Sequence, residues 1–255
     1  LESSALESEE KILIPISNSE TIEELISLST ILKSVDNKNG LFALSIVNED
    51  SNDKATYAKK ILDRAVITAS ATDILLNKIL RYDFNIENGI TSVIKEQNIT
   101  DLILGHYNKN GFSKSFLGKL TDGIIAKCNT TTFIYKSFQP ISTVKRHVVI
   151  VPPDAENVIG FHLWLYKILN IPKNTGSKLI FYASETTIKI IKTIISKNPN
   201  DADFNVFNDW NDFLSISRKI KTDDNLIIVL SRVNKPSYHV NMANIPLHLN
   251  QYFPS

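Results

Sequence analysis

Short apolar runs alternate along this chain with longer stretches whose apolar residues recur at helical spacing. Lys11 to Ile16 (KILIPI) is an apolar run closed by Pro15 and a polar cluster, the pattern of a buried strand. Ser17-Asn18-Ser19 supplies a helix cap, and Glu20, Glu23 and Glu24 fall where a helix N-terminus favours negative charge. Ile22, Leu25, Ile26, Leu28, Ile31 and Leu32 then form one apolar helical face. Leu41 to Val47 reads as a second strand, residues 53–80 as one long helix, 82–86 as a short strand and 90–97 as a short helix. Asp101 to Gly105 is a third buried strand, 116–127 a helix, and Thr130 to Tyr135 a β-branched, aromatic strand.

After Pro140 the pattern restarts. His147 to Val151 ends in Pro152-Pro153 much as the first strand ends near Pro15. A helix over 161–169, a strand over 178–182, a helix over 185–196, a strand over 204–207, a helix over 209–220 and a strand over 226–230 follow. The repeated order predicts an internal duplication, with strands alternating with helices in two parallel sheets. The expected organisation is a linker start over 1–10, one domain over 11–137, a linker over 138–145 and a second, degenerate domain over 146–255. Beyond Leu230 the second copy has no Gly-rich loop and reaches Ser255 where the first would begin its last strand.

Composition narrows the function. Hydrophobic residues make up 43% and charged residues 22%, the balance of a folded domain. Lys+Arg number 15 against 18 Asp+Glu up to residue 140, and 13 against 9 after it, so the halves carry −3 and +4 and neither draws nucleic acid. Cys128 is the only cysteine, which rules out an internal disulfide and any thiolate metal cluster. The histidines show no metal spacing, and no catalytic constellation is recognisable, so a non-enzymatic role is expected. No run approaches the ~18 apolar residues of a membrane helix. The opening Leu1-Glu2-Ser3-Ser4, without Met, predicts a segment of a longer polypeptide.

One loop carries specific chemistry. The strand from Asp101 leads through Gly105-His106-Tyr107-Asn108 and a Gly/Ser/Lys stretch to Gly118-Lys119 and a helix. Backbone N–H groups and the positive end of the helix dipole make such a turn an anion site. The run DLILGHYNKNGFSKSFLGKLTDGIIAKCNTTTFIYK is similar to the end of universal stress protein domains, and KILIPISNSE resembles their opening. That family has a strand, a Gly, two residues, a second Gly, nine residues, and Gly-Ser or Gly-Thr. The resemblance implies a Rossmann-like fold of the adenine nucleotide alpha hydrolase type, five parallel strands with helices on both faces, in each half. It places a nucleotide or anion against Ser17, Val47, Gly105, His106, Asn108, Gly118 and Lys119, with ATP or another adenine nucleotide as the ligand. Asn108 stands for the family's second Gly, Lys119 for its Ser or Thr, and Ser17 for the Asp after the first strand. A modified site is therefore expected.

The resemblance also implies a homodimer through the last strand of the first domain, at Thr132, Phe133, Ile134 and Tyr135. The tandem arrangement looks like the C-terminal region of a bacterial cation/proton antiporter of the CPA2 type. That implies a transmembrane antiporter domain in the same polypeptide, with these residues regulating it at the cytoplasmic face of the inner membrane. A free-standing nucleotide-binding stress protein and a ligand-free dimerisation scaffold remain open as alternatives.

Overall fold

The computed structural model describes residues 10–37, 39–48, 51–106, 119–196, 201–245 and 248–249, with only the backbone of Lys119. The chain divides into two compact units between Ser137 and Phe138.

In the first unit β1 (Ile12–Pro15), β2 (Leu41–Val47), β3 (Leu76–Tyr82), β4 (Asp101–Gly105) and β5 (Thr131–Tyr135) form a sheet in the order β3-β2-β1-β4-β5. All neighbours are parallel. The helices α1 (Ile22–Leu32), α2 (Asn52–Ser70), α3 (Ile86–Glu96) and α4 (Lys119–Lys127) connect them. Alternate strand residues serve the two faces. Leu13, Leu44, Leu102 and Leu104 meet Ile90, Val93, Ile94, Ile124 and Cys128 in one core cluster. Each such Leu or Ile contributes roughly 1.5–3 kcal/mol. Cys128 is a buried packing residue there.

The expected helix over 53–80 is two elements: α2 stops at Ser70 and β3 begins at Leu76. The stop is a Schellman turn: Ile74 N–H donates to Ala69 O (3.1 Å), Asp73 N–H donates to Ser70 O (3.2 Å), and Asp73 takes φ 56°. An aspartate holds the left-handed position that glycine usually marks, so the break carries no glycine signal. Asn98, at φ 52°, ends α3 in the same way, with Ile99 N–H donating to Ile94 O (2.9 Å). The short strand expected over 82–86 is therefore displaced: Tyr82 is the last residue of β3.

In the second unit β6 (Arg146–Ile150), β7 (Lys178–Ala183), β8 (Ala202–Val206) and β9 (Asn225–Ile228) form a parallel sheet in the order β8-β7-β6-β9. Helices α5 (Phe161–Thr175) and α6 (Glu185–Ile195) lie between strands. The helix expected over 209–220 is a 3-10 segment, Trp210–Lys219, interrupted at Asp212. Five strands are expected in each copy, but the second sheet has four among the described residues. After β9 the chain folds back through a 3-10 turn, Val240–Asn244, whose Met242 joins Trp210, Phe213 and Ile216 in the core.

Strand register superimposes the copies. Ile12 pairs with Asp101 and Leu41, and His147 pairs with Asn225 and Leu179. His147 thus takes the place of Ile12, Asn225 that of Asp101, and Arg146-Asp224 that of Lys11-Thr100. In the first unit Thr100 Oγ1 accepts from Lys11 N–H at 3.0 Å. In the second, the Arg146 guanidinium meets Asp224 in a two-point ion pair, Nε to Oδ1 at 2.7 Å with the second contact through Nη2. The Asp224 side chain is 1% exposed and also accepts from Lys221 N–H. Arg146→Ala leaves that carboxylate buried with one neutral donor. Chemical unfolding is expected to show a loss of roughly 2 kcal/mol, below the ~3–5 of a fully buried pair because the guanidinium is partly solvated.

Candidate functional site

The order β3-β2-β1-β4-β5 reverses direction between β1 and β4. Connections from these two strands leave on opposite sides, which opens a crevice at their C-terminal ends, the place where open parallel sheets bind ligands. The residues there are Ser17 and Asn18 after β1, Val47 and Asn48 at the end of β2, and Gly105 and His106 at the end of β4.

On the β2 side lies a cavity of about 200 Å³ lined by Ser17, Ser45, Val47, Asn48, Lys54 and Tyr57, closed by Ala58 and Ile61. Positions 54, 57, 58 and 61 share the face of α2 turned to the sheet. Val47 forms an apolar wall: it is 3% exposed, and its carbonyl accepts from Asp83 N–H at 3.1 Å. Ser45 is the notable polar residue. It is 4% exposed in an otherwise apolar strand and lines the cavity. A ligand polar atom in the cavity can hydrogen-bond to its hydroxyl. Tyr57 is half exposed at the rim, and Lys54 is the cation of the lining.

The β4 side is built differently. His106 N–H donates to Tyr135 O at 2.7 Å, so its backbone extends the β4–β5 ladder, and its ring is half-buried. A Cβ at Gly105 would stand 3.1 Å from Leu25 Cδ1 and 3.3 Å from Cδ2. Packing of α1 across the strand end therefore accounts for this glycine. Tyr135 donates its hydroxyl to Glu24 Oε2 at 3.3 Å, and burial foremost raises its pKa to about 12. The first turn of α1 carries Glu23 and Glu24, with Glu20 just before it, so that helix end already has its negative charge and opposes a phosphate.

Of the expected site residues, the fold brings Ser17 and Val47 to one cavity and Gly105 and His106 to the neighbouring strand end. Asn108 and Gly118 lie outside the described residues, and Lys119 is described only as the first backbone position of α4. Thr132, Phe133, Ile134 and Tyr135 are half-buried on β5, an edge strand of the sheet. Sequence reasoning missed Ser45, Asn48, Lys54 and Tyr57. A lone serine within LFALSIV was the available signal for the first.

In the second unit the positions that match Ser17, Gly105 and His106 are occupied by other residues. Register puts Pro152 in the place of Ser17, and Val229-Leu230 in the place of Gly105-His106. Ser231 N–H reaches Met242 Sδ at 3.4 Å, and Met242 packs into the apolar cluster. Among the described residues there is no grouping of His, Cys, Asp and Glu able to hold a metal, and no helix is long and apolar enough to cross a membrane.

Solved structures identify the architecture. A putative universal stress protein from Pseudomonas aeruginosa UCBPP-PA14 superimposes with TM-score 0.59 at 14% identity, over 95% of this chain and 91% of that one. The chain has the fold of a tandem universal stress protein. A universal stress protein from Archaeoglobus fulgidus DSM 4304 (TM-score 0.57, 13% identity, 83% of this chain and 84% of that one) shows the same universal-stress fold. A functionally unknown protein from Pseudomonas aeruginosa PAO1 gives TM-score 0.59 at 14% identity, over 96% of this chain and 90% of that one. No protein-family model and no curated protein matches the sequence.

Proposed function

We propose that the first unit binds an adenine nucleotide at the C-terminal ends of β1, β2 and β4, and that the second unit binds none. The observation that carries this reading is the largely buried Ser45 of the otherwise apolar β2, which lines a cavity at the crevice where the strand order reverses. At about 200 Å³ the cavity is smaller than the ~300–1,000 Å³ of a typical small-ligand site. It seats a base or nucleoside part against Val47, Ala58 and Tyr57, with Ser17, Ser45 and Asn48 to fix its polar edge. The phosphates lie on the open side of the cavity beside Lys54, away from the glutamates of α1.

On this reading the unit acts as a sensor of the nucleotide. Its partner is a transmembrane cation:proton antiporter domain in the same polypeptide, which ligand binding regulates through a difference in affinity between two transporter states. The tandem arrangement and its resemblance to antiporter C-terminal regions support that part of the reading.

Thermal unfolding of the chain with millimolar ATP, ADP, AMP, cyclic dinucleotides and NAD tests nucleotide binding. A ligand at ~100 times its dissociation constant adds about 2.7 kcal/mol, an evident rise in midpoint. Ser45→Leu, which fills the cavity, is expected to abolish the rise. No rise with any of these nucleotides, or one unaffected by Ser45→Leu, would remove the proposal.

A further inference from the structure

The crevice of the first unit is flanked by the first turns of two helices, and their charges differ. At the entry to α1 stand Glu20, Glu23 and Glu24, with no lysine or arginine anywhere in residues 17–32. At the entry to α2, Asp53 is answered by Lys54, which lines the cavity. One side of the crevice is therefore acidic and the other is close to neutral with a cation at the cavity.

Two contacts hold the acidic turn over the β4 side. Leu25 Cδ1 and Cδ2 lie 3.1 and 3.3 Å from where a Cβ on Gly105 would stand. The Tyr135 hydroxyl, at the end of β5, donates to Glu24 Oε2 at 3.3 Å. Glu24 is half-buried there, whereas Glu23 is exposed and shares its charge with Arg64 at 3.4 Å. Burial foremost raises the Tyr135 pKa to about 12, so its hydroxyl stays a donor to that carboxylate across the neutral range.

We propose that this crevice takes an adenine nucleotide with a single phosphate and rejects di- and triphosphates, with Glu24 as the specificity-determining residue. The inference rests on the reading of the crevice given above and adds the number of phosphates to it. One phosphate, at about −1.5 to −2 charge, is met by Lys54 on the open side of the cavity. A longer chain brings more negative charge into the same crevice, against Glu20 and Glu24. Like charges repel more strongly in a partly buried site than in bulk water, and the Tyr135 bond keeps Glu24 from turning away.

Calorimetric titration of the full chain with AMP, ADP and ATP in magnesium-free buffer is the test. AMP is expected to bind about tenfold tighter than ATP, with ADP between them, and the gap should narrow in ~0.5 M salt, which screens charge but leaves shape alone. Glu24→Gln keeps an oxygen for the Tyr135 hydroxyl and should cut the gap to about threefold; adding Glu20→Gln should cut it further. ATP as tight as AMP or tighter would overturn the inference while leaving the site in place, and would mean that Lys109, Lys114 and Lys119 of the following loop outweigh the glutamates. A gap that neither salt nor Glu24→Gln changes would overturn it too, since shape and not charge would then set the preference. Binding of none of the three would remove the reading of the crevice itself, and this inference with it.

Discussion

Asp101→Asn is expected to stabilise the first unit by up to about 4 kcal/mol above pH 7, and by almost nothing near pH 4. Asp101 opens β4 at 4% exposure, and burial raises its pKa from 3.8 to about 7, against the opposing effect of the Thr100 hydroxyl, which donates to Oδ2 at 2.7 Å. The unfolded chain ionises this group near pH 4, whereas the folded unit holds the proton until about pH 7. The contribution of Asp101 to stability is therefore complete below the unfolded pKa and is lost as pH rises through that window, at 1.36 kcal/mol per unit. Asparagine keeps an oxygen for the Thr100 hydroxyl and carries no charge. The second copy already accepts it, since Asn225 holds the same register position beside β6. Hydrogen exchange of the Leu102 to Leu104 amides at pH 4 and pH 8 reads the gain in the first unit. An equal change at both pH values would show that the buried charge is not its source.

The second unit is expected to respond to acid in the opposite direction, losing about 3 kcal/mol between pH 6.5 and pH 4. His147 is fully buried, and burial lowers its pKa to about 4 against the attraction of Asp224. Its Nδ1 lies 3.0 Å from Asn225 Nδ2, so the neutral ring accepts there, and Nε2 is buried without a partner among the described residues. The folded-state pKa is depressed, so this stability is present above pH 6.5 and disappears as pH falls toward 4, where the unfolded chain takes up a proton that the folded unit refuses. Both tryptophans, Trp164 and Trp210, lie in the second unit, so their fluorescence in urea follows it selectively. His147→Ile, which installs the residue the first copy has at Ile12, should flatten the pH dependence. A midpoint that holds steady from pH 6.5 to 4 in the wild type would contradict the assignment.

The sequence made the parallel α/β plan readable because buried parallel strands are short apolar runs. KILIPI, LFALSIV, DLILG and HVVIV all became strands at or within a residue or two of the expected places. Boundaries set by left-handed residues were less visible. Asp73 and Asn98 end α2 and α3 where a glycine would have signalled a stop, so the 53–80 stretch looked continuous. The crevice was legible through Ser17, Val47, Gly105 and His106, which loop chemistry and resemblance marked. It was not legible through Ser45, Lys54 and Tyr57, because a strand serine and two helix residues gain meaning only when β2 and α2 close on one cavity. Gly105 was read as a phosphate contact, yet Leu25 supplies a packing reason for it.

The two copies have diverged in a coherent way. The first keeps a polar crevice and a fifth strand. The second has an apolar core around Met242 in its place and, among the described residues, an unpaired β9.

Equilibrium titration of the full chain with ATP, ADP and AMP by calorimetry tests the central claim most directly, because it counts sites. One nucleotide per chain, lost in Ser45→Leu and retained in Met242→Leu, is the predicted result. Two nucleotides per chain, or one that survives Ser45→Leu, would contradict the assignment of binding to the first crevice alone.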